Sequence, residues 1–264
     1  MCIRDRYVDQ VLRHAKVILI SLHGGIAYWR YGVEQLVELS RRGVQLILVP
    51  GDDRPDPELG DLSTVGPIER DRLWQYLRQG GRDNALNFYR CLASGLLGRD
   101  YPWSEPQALP RTAIYHPYKS QAALSDWQAD WQPGQAVAAL LFYRSHLQAA
   151  NTGFIDLFCQ RLLAAGLNPL PIAVASLKEP GCLSQVEDWL DETAAGVILN
   201  TTGFAQSSPE APHLRPFRRN IPVIQAICAQ DNEPGWRDSE QGLGPRDLAM
   251  HIALPELDLS LIHI

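Results

Sequence analysis

The sequence predicts an α/β protein: two Rossmann-like or flavodoxin-like parallel-sheet lobes joined by a connector rich in proline and aromatic residues. Three observations carry that prediction. Short runs of Val, Ile and Leu alternate with segments of helical apolar spacing in both halves, glycines stand where helices must stop, and prolines break up the middle of the chain. The 264 residues are 45% apolar, 20% charged and 8% aromatic, a composition that supplies a core and excludes a disordered chain.

In the first half, Lys16 to Ser21 reads as a strand, Gly24-Gly25 as a loop, and Gly32 to Arg42 as a helix with Val33, Leu36 and Val37 on its apolar face. Gly43 stops that helix, and Val44 to Val49 is a second strand ending in Pro50-Gly51. Strand, helix and strand in this order form a βαβ unit, whose crossover makes the strands parallel and right-handed. Asp52 to Pro57 is a polar loop broken by proline, and Ile68 to Arg78 and Ala85 to Leu97 read as helices flanking Gly80-Gly81. The stretch from Asp100 to Pro133-Gly134 reads as a connector, with the domain boundary in 105–134 and with Arg111 to Tyr115 as one further strand of the first sheet.

The second half repeats the alternation. Ala136 to Phe142, Asn168 to Val174, Gly196 to Asn200 and Ile221 to Ala226 read as strands; Thr152 to Ala165 and Leu183 to Glu192 read as helices. Asn151 or Thr152 is placed to cap the first of these helices, and Gly166 to end it. Residues 1–6 and 259–264 resemble translated adapter sequence and are set aside from the fold. The expected lobes are then 7–104 and 135–258, the second truncated.

Charge and cysteine content narrow the function. Against 24 Lys+Arg stand 30 Asp+Glu, a net charge of -6, which excludes a general electrostatic grip on nucleic acid. The 5 cysteines include no Cys-x-x-Cys pair, consistent with reduced thiols. No apolar run reaches the roughly 18–20 residues that span a bilayer, and no signal-peptide pattern opens the chain, so a cytoplasmic protein without membrane contact is expected.

In a parallel sheet, ligands bind beyond the carboxyl ends of the strands. In the second half those ends carry Tyr143-Arg144-Ser145-His146, Ala175-Ser176-Leu177-Lys178 and Asn200-Thr201-Thr202-Gly203-Phe204, and the strand-like run Ala253 to Asp258 ends in Glu256 and Asp258. If the strand geometry persists, Arg144 and His146 point to the same side. Arg offers a planar fork for a carboxylate, while neutral His takes a proton or binds a transition metal. Glu256 and Asp258, also two apart, suit metal transfer or proton acceptance. Each motif has an ordinary structural alternative: an Arg144 ion pair, a helix-capping His146, solvated surface acids, or a ligand-free turn at 200–204. In the first half, Asp52 and Asp53 suit a hard cation but equally suit a self-paired loop, and His23 before Gly24-Gly25 is a weak anion signal. No dinucleotide or P-loop glycine motif follows any strand, so ATP, where used, belongs to another polypeptide.

Taken in order, these pieces resemble the large, porphyrinoid-binding subunits of aerobic cobaltochelatase, which are related to the magnesium chelatase large subunits. The resemblance rests on Gly24 to Trp29 with Gly32-Val33-Glu34, and on Leu48 to Leu59 around Pro50-Gly51-Asp52-Asp53-Arg54-Pro55. It continues through Leu141 to His146, Ala150-Asn151-Thr152, Gly166 to Pro171, Ser176-Leu177-Lys178, Asn200 to Ala205, and Gly242 to Met250 leading to Pro255-Glu256-Leu257-Asp258. It implies the N-terminal part of a longer subunit that binds hydrogenobyrinic acid a,c-diamide and inserts Co²⁺, its substrate metal, in aerobic cobalamin synthesis. ATP and Mg²⁺ would be used by an AAA+ ATPase partner and a companion subunit. On this reading Glu256 and His146 are catalytic and transient metal ligands, and Arg144, Ser145, Thr201, Thr202, Gly203 and Asp258 bind substrate. A magnesium-type large subunit, a two-lobed module for a small ligand, and a scaffold that docks the ATPase are the alternatives.

Overall fold

The computed structural model describes residues 3–203, 217–229, 237–238, 240 and 242–253. The chain divides into two compact units, Met1–Leu109 and Pro110–Ile264.

The first unit contains α1 (Ile3–Gln10), β1 (Val17–Leu22), α2 (Arg30–Arg41), β2 (Gln45–Pro50), α3 (Pro57–Asp61), α4 (Pro67–Gln79) and α5 (Arg82–Leu97). β1 and β2 pair in parallel from Val17↔Gln45 to Leu22↔Pro50, as the βαβ pattern requires. The continuous apolar run of β2 has a direct cause: alternate residues enter different cores. Leu46 and Leu48 pack with Ile18 and with Val33, Leu36 and Leu39 of α2, whereas Ile47 and Val49 pack with Leu73, Trp74 and Tyr76 of α4 and Phe88 of α5. Asp56 caps α3, its carboxylate accepting the Glu58 and Leu59 N–H groups at 3.0 and 3.3 Å. Two parallel strands enclosed by helices are less than the doubly wound lobe expected here, because α4 and α5 fill the second face and no further strand joins among the described residues.

The second unit contains β3 (Thr112–His116), β4 (Lys119–Ala122), α6 (Leu124–Gln128), β5 (Val137–Tyr143), α7 (Arg144–Gln148), α8 (Gly153–Ala164), β6 (Asn168–Val174), α9 (Pro180–Glu192), β7 (Val197–Asn200), β8 (Val223–Gln225) and α10 (Pro245–Leu248), which runs into a π-type turn over Ala249–Ala253. Its six-stranded sheet has the order β4-β3-β6-β5-β7-β8. β6, β5, β7 and β8 are parallel, and β3 runs antiparallel to β6 and to β4. This part is a mixed sheet with a parallel centre, as an α/β chain requires, and with a hairpin added at one edge. β5 and β6 are buried almost throughout, the mark of strands covered on both faces.

The hairpin corrects the reading of the connector and of the strand at Arg111 to Tyr115, which joins the second sheet rather than the first. Residues 110–134 are not a loose linker, because Tyr115, Trp127 and Trp131 belong to the second core. Trp127 is buried and its indole N–H donates to the Tyr115 carbonyl at 2.6 Å; Trp131 donates to the Pro169 carbonyl at 2.9 Å. Asn168, also buried, accepts the Gln132 N–H and donates to the Gln132 carbonyl, clamping that segment to the foot of β6. Arg111 forms a two-pronged ion pair with Glu179 at the start of α9.

Candidate functional site

β5 lies between β6 and β7, and its connection leads to β6 on one side while β7 leads on to β8 on the other. The carboxyl ends of β5 and β7 therefore flank the point where the strand order reverses, the place where open parallel sheets hold ligands. Right-handed crossovers put α8 and α9 on opposite faces, which leaves that end open between them. The segment after β5 carries Arg144, Ser145 and His146, and the segment after β7 carries Thr201, Thr202 and Gly203.

The structure joins these two segments. The Thr201 N–H and hydroxyl both donate to the Leu141 carbonyl of β5, at 2.9 Å each. The Gly203 N–H donates to the Tyr143 hydroxyl at 3.1 Å. Asn200 accepts the Thr202 N–H at 3.1 Å and its hydroxyl at 2.6 Å, and donates to Gln225 of β8 at 2.9 Å. Gln225 in turn donates to the Thr202 carbonyl at 2.9 Å. Thr201 and Thr202 are buried and their hydroxyls are spent inside the protein, so hydroxyl contacts with a ligand, expected from sequence, are not what this geometry supplies. Close backbone approach at Gly203 is present, yet its partner is protein: a Cβ there would lie 2.4 Å from the Met250 carbonyl oxygen.

Arg144 and His146 also depart from expectation. The chain turns into α7 directly after Tyr143, so two residues apart means roughly 200° around a helix, not one face of a strand. Arg, Leu and Gln here favour helix, and no Gly or Pro prolongs the extended geometry. The Arg144 Nε–H donates to the Pro110 carbonyl at 2.8 Å, and Ser145 is exposed. His146 is half-buried against Phe154 (ring centroids 4.8 Å apart, edge-on) and Phe142 (6.5 Å). Burial lowers its pKa from 6.5, which keeps the imidazole neutral and able to accept a proton. Ala150, with φ of 51°, closes the corner between α7 and α8 in the left-handed region. Nearby, the Tyr115 hydroxyl donates to Asp156 at 2.7 Å and lies 3.0 Å from the Thr152 hydroxyl. Burial raises the Tyr115 phenol to about 12.

Glu256 and Asp258 lie outside the described residues, as does the strand expected to end on them from Leu254 onward; Ala253 itself belongs to the π-type turn. Among the described residues, no group of three or more His, Cys, Asp and Glu side chains could hold a metal ion. No helix among them is long and apolar enough to cross a membrane. Tyr143 and Gln225 were given no role by the sequence, since only the sheet order brings them beside Asn200–Gly203.

In the first unit, the carboxyl ends of β1 and β2 open onto a groove of about 370 Å³ lined by Gly24, Gly25, Asp52, Arg54 and Asp56. Its acids are engaged locally: Asp52 accepts the Arg54 N–H at 3.0 Å and Asp56 caps α3, while Asp53, next in the chain, pairs with Arg78 at 3.2 Å. The His23 Nδ1 lies 3.3 Å from the Gly51 carbonyl. This is the self-paired alternative for that loop.

Residues 74–264 match the family model described as CobN/Magnesium Chelatase. The chain belongs to the CobN/magnesium chelatase family. Within it, the chain is 69% identical over 254 residues to the aerobic cobaltochelatase subunit CobN of Pseudomonas aeruginosa, covering 96% of this chain and 20% of that protein. Identity is 36% to the CobN subunit of a Sinorhizobium species, covering 96% and 21%, and 26% to a magnesium-chelatase subunit of Rhodobacter capsulatus, covering 79% and 19%. The catalytic subunit of cobaltochelatase from Mycobacterium tuberculosis shares the fold with a TM-score of 0.74 at 26% identity, over 96% of this chain and 21% of that one. The chain thus spans about one fifth of the length of these CobN-family relatives.

Proposed function

We propose that this chain is the N-terminal part of a cobaltochelatase large subunit, which binds hydrogenobyrinic acid a,c-diamide and inserts Co²⁺ into it in aerobic cobalamin synthesis. ATP is hydrolysed on an AAA+ partner that acts with a companion subunit, and the chain by itself is inactive. The observation that carries the reading is the reversal point of the second sheet, where Arg144 and His146 emerge from β5 beside a loop bonded to Tyr143. Identities of 69% and 36% to cobalt-inserting relatives, against 26% to a magnesium one, favour cobalt over magnesium.

Metal insertion requires ring N–H protons to leave and the Co²⁺ hydration shell to be exchanged for ring nitrogens. Neutral His146 takes a proton at its free ring nitrogen or lends that nitrogen to the metal in transit, and its aromatic walls limit water there. Glu256 is assigned the second transfer step, with Asp258 beside it in sequence. Arg144, steadied through its Nε on Pro110, holds a peripheral carboxylate of the corrinoid from the side of α7 away from His146, and Ser145 and Gly203 are assigned to substrate with it. Thr201 and Thr202 act by holding that backbone.

The test is a spectral titration of the full-length subunit with the metal-free corrinoid. Wild type should give a saturable absorption change, and Arg144→Ala should weaken it about tenfold, the scale of a charge-assisted hydrogen bond. No saturable change in the wild-type protein would remove the site reading; an unchanged Kd in the variant would remove Arg144 from it.

A further inference from the structure

We infer that Tyr143 and Gln225 are positioning residues that hold Gly203 as the seat for the turn Ala249–Ala253, and so set where the acid-bearing segment after that turn begins. The inference rests on the site reading above and goes beyond it in naming residues that touch neither substrate nor metal.

Three elements converge on one glycine. Its N–H is held by the Tyr143 hydroxyl at the end of β5, at 3.1 Å. The residue before it is fixed from β8, because Gln225 donates to the Thr202 carbonyl at 2.9 Å and accepts from Asn200 at 2.9 Å. On its open side the Met250 carbonyl approaches so closely that any side chain would collide with backbone at 2.4 Å. A contact of that kind fails with any Cβ, because the obstacle is a carbonyl and not the movable end of a side chain. Glu256 follows the end of the turn by three residues in the chain. The position of Gly203 is therefore coupled to the turn through contacts on both sides: Tyr143, next to Arg144, on one and Met250 on the other. Burial raises the Tyr143 phenol above its usual range, so the hydroxyl stays protonated and neutral at working pH.

The deciding variant is Tyr143→Phe, which deletes one hydroxyl and keeps the ring. In the full-length subunit assayed with its partners, kcat for cobalt insertion should fall about five- to tenfold, the scale of one lost hydrogen bond, and by a larger factor than any rise in KM for the corrinoid. Gln225→Ala should give the same split. Gly203→Ala should lower kcat further, and the double variant Tyr143→Phe/Gly203→Ala should lose less than the product of the two single effects, since both act through one loop. Unchanged kcat in Tyr143→Phe, a rise in KM alone, or a fall in kcat that merely tracks loss of folded protein by circular dichroism would each overturn the inference. His146→Ala is the reference. If it lowers turnover while Tyr143→Phe does not, the positioning role fails and the site reading stands; if neither does, the site reading itself fails.

Discussion

Replacing His146 by alanine in the full-length subunit should lower cobalt insertion, measured with the partner subunits and ATP present, by about 10²-fold, the usual worth of a positioned general base. Two features of its environment make the effect large. The ring is held edge-on to Phe154 and near Phe142, and burial lowers its pKa from 6.5, so the proton-accepting form dominates at neutral pH. The pH dependence has a defined sign. As pH falls below 6.5 the unfolded chain binds a proton that the folded chain still refuses, so stability declines from there and levels off once pH passes the lowered folded value. The same shift places the acidic limb of the rate profile below 6.5; a limb at or above that value, or undiminished turnover in the variant, removes His146 from the chemistry. Glu256→Gln, which keeps the shape and deletes the carboxylate proposed to accept a proton, should act in the same direction by about 10²-fold. Wild-type turnover in that variant would remove Glu256 from the proposed transfer step.

The second large effect is on stability. Phe142→Ala should destabilise the second unit by about 3–5 kcal/mol, the range for a deleted core phenylalanine. Phe142 is 0% exposed in the central strand and stands edge-on to Tyr115 at 6.0 Å. A sheet covered on both faces cannot collapse into the gap, so the cavity persists. The urea midpoint should drop by more than about 1 M. The same truncation removes one wall of the His146 site, so an NMR titration should show the imidazole pKa moving back up toward 6.5. A midpoint equal to wild type would contradict the packing of β5; a lower midpoint with no pKa movement would show that Phe154 alone desolvates the ring.

Strands and helices that carry their own pattern were legible. Val17–Leu22, Gln45–Pro50, Val137–Tyr143 and Asn168–Val174 are close to the runs read from the sequence, because strands buried on both faces need apolar residues at nearly every position. The long helices Pro67–Gln79 and Arg82–Leu97 were legible from apolar spacing and from Gly80-Gly81 between them. Short elements were not. Pro57–Asp61, Leu124–Gln128 and Arg144–Gln148 have five residues each, less than two turns, too few for a period to show. Lys119–Ala122 is a polar edge strand without an apolar face, so nothing in its composition marks it. The candidate site was half legible: the strand ends pointed to residues 143–146 and 200–203, but which of their groups remain for a ligand depends on bonds from Leu141, Tyr143 and Gln225.

The order of residues alone accounts for the parallel β5–β6–β7 core, for which residues follow the ends of those strands, and for the family. Those follow from local periodicity, from the rule that crossovers are right-handed, and from ordered motifs, all of which are written one residue after another. Long-range packing was needed to establish that 112–122 is a hairpin of the second sheet, that Arg144 and His146 lie on a helix, and that Gly203 faces the Met250 carbonyl. Each of these is settled by a partner many residues away, β6 for the hairpin and Met250 for the glycine, or by the chain turning as soon as the strand leaves the sheet. Short segments hold too little local free energy to choose a conformation alone, so packing chooses for them.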